Sequence, residues 1–294
     1  MFQPDRGNFP ADCGNSTNAF IHHIYDAADA SVLASSCPTI WGDLVIMPDA
    51  SGDIDLDGVT NITGNLQTVN LVGNFPTTGI TSIHSRTLRQ MGGLDIYSVP
   101  LLQNISFPNL ESITGDGQIY IGNALELSLI DLSSIQTGGE FIQIFSTPNL
   151  TNYKYPMNVS LAPTTWGIAI AETGLTSING FTDNPGGISF YDNPNLKEVS
   201  LQINETTEAY FLPQPFRAGY IAIRNSSDAV RINFPFLAAV ASWIALDNPS
   251  ELSIPALSIV NGSFTVTNAS FKSLSAPNLE FINGSLNITG SFSG

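Results

Sequence analysis

Basic residues are scarce: nine Lys and Arg stand against 25 Asp and Glu in 294 residues, a formal net charge of −16. They form no cluster able to track phosphates, which excludes nucleic acid as a partner. An anionic membrane surface is disfavoured for the same reason. Charge of either sign is thin, at 12% of residues, about half the usual share. Small polar groups or attached glycans must therefore hydrate the surface. Long apolar runs are missing too: the longest, Phe236 to Leu246, is about half the ~20 residues of a membrane-spanning helix. Of the three histidines, His22, His23 and His84, none combines with Cys13 or Cys37 into a zinc-ligand spacing. The chain also has no Gly-x-Ser-x-Gly elbow, phosphate-cradling loop or His-bearing triad order.

What the chain does have is a repeat. An apolar–x–apolar triplet recurs nine times: Leu94-Asp95-Ile96, Ile119-Tyr120-Ile121, Ile142-Gln143-Ile144, Ile168-Ala169-Ile170, Ile188-Ser189-Phe190, Ile221-Ala222-Ile223, Ile244-Ala245-Leu246, Phe264-Thr265-Val266 and Leu286-Asn287-Ile288. Spacings run from 20 to 33 residues. That period belongs to a solenoid, in which no single turn buries its own apolar face and stacking builds the core. Between triplets a corner block recurs, fullest in Phe107-Pro108-Asn109-Leu110-Glu111-Ser112-Ile113-Thr114-Gly115 and in Pro277-Asn278-Leu279-Glu280-Phe281-Ile282-Asn283-Gly284. Pro and Asn turn the corner, Leu and Ile fill the core, and Gly is expected to supply a positive φ. The corner asparagines are expected to form a hydrogen-bonding ladder between turns. The widest spacing carries an extra segment, Ala209 to Phe216, expected to bulge as a loop. Ile40 to Ile46, Asp53 to Leu56 and Asn65 to Val69 read as earlier, less regular rungs.

Residues 1–38 read differently from the solenoid of 39–294. Ala19-Phe20-Ile21, Ile24-Tyr25, Ala27-Ala28 and Val32-Leu33 recur at helical spacing, which predicts a helix over 16–34 capping the stack. Paired, Cys13 and Cys37 would clamp that cap by closing a loop of about 24 residues, worth about 3 kcal/mol; the alternative is two buried free thiols. Glycosylation sequons favour the disulfide. Asn15, Asn61, Asn104, Asn149, Asn158, Asn204, Asn225, Asn261, Asn268, Asn283 and Asn287 all open Asn-x-Ser/Thr triplets, several-fold above the chance rate of about one per hundred or more residues. Such a chain has passed through a secretory lumen, where disulfides form. Residues 1–10 hold no apolar run, so the leader is expected to have been trimmed. The last strand is followed by no polar cap, and the chain is expected to be a fragment.

Cys13 and Cys37 around a short helix, Thr60-Asn61-Ile62-Thr63-Gly64-Asn65-Leu66 and the Phe107 to Ile113 block together resemble the fungal cell-wall organisation proteins. These carry receptor L-domain-like repeats and a glycosylphosphatidylinositol anchor. The resemblance covers roughly residues 13–290. It implies a mainly β fold, a right-handed parallel β-solenoid of the L-domain, leucine-rich-repeat-like or β-helix kind with an N-terminal α-helical cap. It also implies a secreted glycoprotein at the cell wall or outer plasma-membrane face, needed for wall integrity, without catalytic residues or cofactors. Any membrane attachment would run through a lipid anchor outside these residues. The partner would be a cell-wall polysaccharide or a cell-surface protein.

Outward positions supply the candidate site. In each triplet the middle residue faces out, and residues flanking it on that face include Tyr97, Phe141, Phe145, Tyr191, Tyr220 and Trp243. With Tyr120 and Gln143 they predict a flat face of small residues bordered by aromatics, suited to a glycan or a protein ligand. The competing reading is that aromatics simply suit strands and stack between rungs. Asn287 lies on the same face, so a sugar there would cover the C-terminal end and leave the middle rungs for binding. A receptor-like ligand-binding module and a β-helix carbohydrate-active enzyme are the alternatives. The enzyme would need paired carboxylates, and the strand face is expected to offer only Asp55, Asp95 and Asp247, with Arg224 as a base. Asp53-Ile54-Asp55-Leu56-Asp57-Gly58 resembles the opening of an EF-hand loop, but position 12 would be Gly64 in place of Glu. The run fits a strand with its acids facing solvent equally well.

Overall fold

A computed structural model describes residues 13–17, 19–69, 79–114, 117–139, 141–155, 160–161, 167–180, 186–203, 219–226 and 229–292. The Ala209 to Phe216 segment and the sequons at Asn158 and Asn204 lie outside the described residues.

The chain is a parallel β-solenoid. Its spine is a continuous sheet of twelve parallel strands running from Phe20–Ile24 through Gly42–Ile46, Asn61–Thr68, Gln90–Tyr97, Gln118–Gly122, Phe141–Thr147, Gly167–Thr173, Gly187–Tyr191, Tyr220–Arg224, Ile244–Asp247 and Phe264–Phe271 to Leu286–Phe292. All nine triplets fall in this sheet and pair residue for residue. Leu94 meets Ile119, which meets Ile142, then Ile168, Ile188, Ile221, Ile244, Phe264 and Leu286. Register is fixed because a slip of one residue would turn every apolar side chain to solvent. The inward residues from Leu94 through Val266 are all at most 3% exposed. At the last strand Leu286 is 57% exposed.

A second face is built in two pieces. Ser51–Asp55, Gly79–His84, Asn104–Ser106, Leu129–Asp131 and Asn152–Lys154 form one, and Ser177–Gly180, Glu198–Leu201, Val230–Asn233, Pro249–Ser253 and Ser273–Ser275 the other. Corner leucines Leu110, Leu150 and Leu196 are fully buried beneath the turns. The asparagine ladder is present in altered form. Three corner amides donate to a backbone carbonyl one turn back: Asn109 to Arg86 at 2.7 Å, Asn149 to Leu125 at 2.9 Å and Asn278 to Pro255 at 2.8 Å.

The glycine expectation is corrected. Gly284 is not in the left-handed region; it is required by close approach, because a Cβ there would sit 2.7 Å from the backbone of Gly262. Positive φ occurs at a different corner, two residues beyond each triplet, at Ser98, Asn123, Ser146, Glu172, Asp192, Asn225, Asn248, Asn268 and Gly290. Short polar side chains tolerate this conformation by bonding locally: seven of these nine positions carry Ser, Asn or Asp, one carries Glu172, and the last is Gly290.

The N-terminal helix is also corrected. Phe20–Ile24 is a strand paired with Gly42–Ile46, and the helix spans Ala27–Ser36. Asp26 sets the boundary: in extended conformation, its carboxylate accepts the Ala28 and Asp29 N–H groups at 2.9 and 3.1 Å, a side-chain cap that stops the helix there. The helix packs against Ser51–Asp55, the first strand of the second face. It ends at Cys37, which is disulfide-bonded to Cys13 with 5.5 Å between their Cα atoms.

Candidate functional site

The eight outward residues singled out from the sequence all lie half-exposed on strands of the long sheet or, for Trp243, immediately before one. The structure gathers most of them into two ring groups. Tyr97, Tyr120 and Phe145 form one, with ring centroids 6.1, 5.9 and 5.2 Å apart. Gly122 lies beneath, and its missing Cβ is where the Phe145 ring rests. Tyr220 and Trp243 form the other, stacked at 4.9 Å and 15°, with the Tyr220 ring covering Gly187 in the same manner. Between the groups runs Gly167–Thr173, whose outward Ala169 and Ala171 pair with Gln143 and Phe145 on one side and with Ser189 and Tyr191 on the other. Phe141 pairs with Gly167. Two strand steps of about 4.8 Å separate Phe145 from Tyr191, which leaves a floor of small residues between aromatic ridges.

Beside the second group the surface sinks into a cleft of about 380 Å³ lined by Ser189, Tyr191, Asp192, Tyr220, Ala222, Arg224, Asn225 and Trp243. Desolvation, and then the nearby Tyr191, push the Tyr220 phenol above its usual value, so it stays a neutral donor across the physiological range. The Arg224 guanidinium lies 5.4 Å from the centre of the Trp243 ring. It reaches there from the far side of the strand face because the residues between, Ala222 and Ala245, are small and buried. Sequence reasoning missed Asp192, Asn225 and this crossing. The signal for Asp192 and Asn225 was their place at the left-handed corner; nothing in the strand pattern indicates the crossing.

The strand-face acids are redistributed. Asp55 does not belong to this face: it ends Ser51–Asp55 on the second sheet, because an alternating strand carries no mark of which sheet it joins. Asp95 and Asp247 stand six strands apart, roughly 29 Å at ordinary strand spacing. Acid–base pairs for glycoside hydrolysis lie about 5–9.5 Å apart, so these two do not form one. Asp95 is half-buried beside Tyr120, and its Oδ1 has no hydrogen-bond partner among the described residues. Desolvation raises its carboxyl above the usual range. The fold therefore favours the protonated form, and stability falls as pH rises through the window from the ordinary carboxylate value upward. Asp95→Asn is expected to raise the melting temperature at pH 7 and leave it nearly unchanged at pH 3, as thermal melts at both pH values would show.

On the second face, Ile54 and Leu56 are buried and Asp53 and Asp55 are exposed. His84 lies between them, with Nε2 3.0 Å from Asp53 and Nδ1 3.6 Å from Asp55. Asp57 is held by Arg86, whose backbone N–H and Nε donate to it at 2.5 and 2.6 Å. Ligand atoms of Asp55, Asp57 and His84 come within 4.8 Å of one another, but Asp57 is already engaged by Arg86 and His84 by Asp53.

The described sequon asparagines are at the surface. Asn15, Asn149, Asn225, Asn261, Asn268, Asn283 and Asn287 are exposed, and Asn61 and Asn104 half-buried. Asn193, which opens no Asn-x-Ser/Thr triplet, is fully buried.

Fold and face together define an elongated parallel β-solenoid carrying an aromatic-bordered strand surface. The chain is similar to Protein ecm33 of Aspergillus fumigatus, 25% identical over 266 residues that cover 90% of this chain and 54% of that protein. It thus spans about half the length of this curated relative. This is a distant likeness to a fungal protein, in line with the fungal resemblance drawn from the repeats. No family model matches the chain, and no solved structure matches it.

Proposed function

We propose that this protein is a non-enzymatic, secreted glycoprotein of the fungal cell wall or outer plasma-membrane face, contributing to wall organisation by contacting glycan through its strand face. The observation that carries this reading is the grouping of rings into two half-exposed ridges over a floor of small residues. Aromatic faces give sugar rings an apolar platform with specific geometry, and half-exposed rings are available for it. The likeness to ecm33 over 90% of the chain supports the fungal setting. Surface sequons support passage through a secretory lumen, and a lipid anchor would attach the protein from outside these residues. In this reading the solenoid is right-handed, the hand that parallel strand–crossover–strand connections adopt. Its helix and disulfide act as an N-terminal cap.

Glycan-array binding of the secreted protein tests the proposal. Tyr120→Ala and Trp243→Ala are each expected to reduce wall-polysaccharide binding by tenfold or more, with the circular dichroism spectrum unchanged. Undiminished binding in both variants would sink the strand-face assignment. Binding to cell-surface proteins with none to any polysaccharide would favour a receptor-like module instead.

A further inference from the structure

We infer that the cleft between Tyr191 and Trp243 is a subsite for an anionic sugar, a saccharide ring bearing a carboxylate or phosphate that Arg224 receives. The inference rests on the glycan-binding reading above and names the class of ligand.

Arg224 differs from the other described cations engaged by side chains. Arg86 is paired with Asp57, Arg89 with Glu111, Lys154 with Asp131 and Arg231 with Glu198. Arg224 has no carboxylate partner among the described residues and rests on the Trp243 ring at 5.4 Å. A guanidinium laid on an aromatic face keeps its in-plane N–H donors available, and that planar fork matches the two oxygens of a carboxylate or phosphate. In a chain of net charge −16 with only nine basic residues, a cation that lies over an aromatic ring and has no carboxylate partner among the described residues points to an anion supplied from outside.

The rest of the cleft suits the remainder of a sugar. Tyr220 and Trp243 offer a stacked ring wall. Ser189, half-exposed beside the buried Ala222, keeps the floor of the cleft low. Asp192 and Asn225 follow Tyr191 and Arg224 on adjacent strands and present planar polar groups at the rim. The Asp192 carboxylate can accept from sugar hydroxyls, while its repulsion orients the ligand's anionic group toward Arg224. A neutral sugar would leave the guanidinium fork unused.

Asn225 opens a sequon, so the test uses full-length secreted protein carrying Ser227→Ala, which removes that glycan and keeps the left-handed asparagine. Oligogalacturonate, mannose-6-phosphate-bearing oligomannose and neutral β-glucan and mannan oligomers are titrated calorimetrically. At least one anionic series is expected to bind tenfold or more tightly than the neutral ones, weakening as salt is added. Arg224→Gln is expected to remove that preference. Arg224→Lys should recover only part of it, because charge returns without the fork, and this pair separates recognition from misfolding. The oligogalacturonate and phosphomannose arms distinguish carboxylate from phosphate. Neutral oligomers bound as well as anionic ones, or an anionic preference untouched in Arg224→Gln, would overturn the inference and leave strand-face glycan binding standing. Failure of every saccharide to bind would overturn both.

Discussion

Replacing Asn193 with leucine is expected to destabilise the protein by about 4 kcal/mol, although the side chains are nearly isosteric. Asn193 is fully buried, and its amide is saturated. The Oδ1 atom accepts the backbone N–H of Thr173 at 3.1 Å and the Thr173 hydroxyl at 2.7 Å, while Nδ2 donates to the carbonyls of Ile170 at 2.9 Å and Tyr191 at 3.1 Å. Leucine would leave the buried Thr173 N–H and hydroxyl without their acceptor and withdraw a donor from two carbonyls, in a place water does not reach. Asn193→Asp is expected to be worse, since it turns both donors into acceptors facing carbonyls and buries a charge. Thr173 occupies the same place in the preceding turn, three residues beyond its triplet, and Asn193→Thr should therefore recover part of the loss. Denaturant unfolding of the three variants measures the order. Equal stability of Asn193→Leu and the parent would show that these bonds contribute nothing net. The cleft should suffer as well, because Asn193 holds the turn that presents Tyr191 and Asp192.

Much of this architecture is legible from a period-2 pattern repeated at solenoid spacing. Every triplet from Leu94-Asp95-Ile96 to Leu286-Asn287-Ile288 lies in one sheet and in register, since large aliphatic residues and Phe inward and small, polar or aromatic residues outward leave only one alignment. Where that pattern is short or mixed, inference fails. Phe20 to Ile24 carries apolar residues at positions compatible with either a helix or a strand; tertiary pairing with Gly42–Ile46 decides for the strand. The capping carboxylate of Asp26 was the local clue to where the helix begins. Asp53 to Leu56 shows the right period, but the period is the same on both faces of the stack. The aromatic face itself follows from alternation. The crossing of Arg224 to Trp243 does not, because it depends on a long side chain passing over two alanines from neighbouring strands.

The second large effect concerns space between turns. Gly117→Ala is expected to cost about 3 kcal/mol, at the upper end of overpacking, because the obstacle is backbone and cannot rotate away. A Cβ at Gly117 would overlap the carbonyl oxygen of Gly92 one turn below, and a Cβ at Gly139 would overlap that of Gly117 in turn. These glycines form a column in which successive turns touch main chain to main chain. Gly52→Ala is the informative contrast. Gly52 has φ +88°, yet a Cβ there would meet only the Ala27 Cβ at 4.0 Å, so its cost is conformational, about 1–2 kcal/mol. Denaturant unfolding should rank the two variants in that order. Hydrogen exchange adds the location. In a solenoid each turn contacts only its neighbours, so Gly117→Ala should accelerate exchange in Gln90–Tyr97 and Gln118–Gly122 while leaving Ile244–Asp247 protected. Uniform acceleration along the whole stack would mean that the solenoid unfolds as a single unit, and that strain at one corner is shared by every rung.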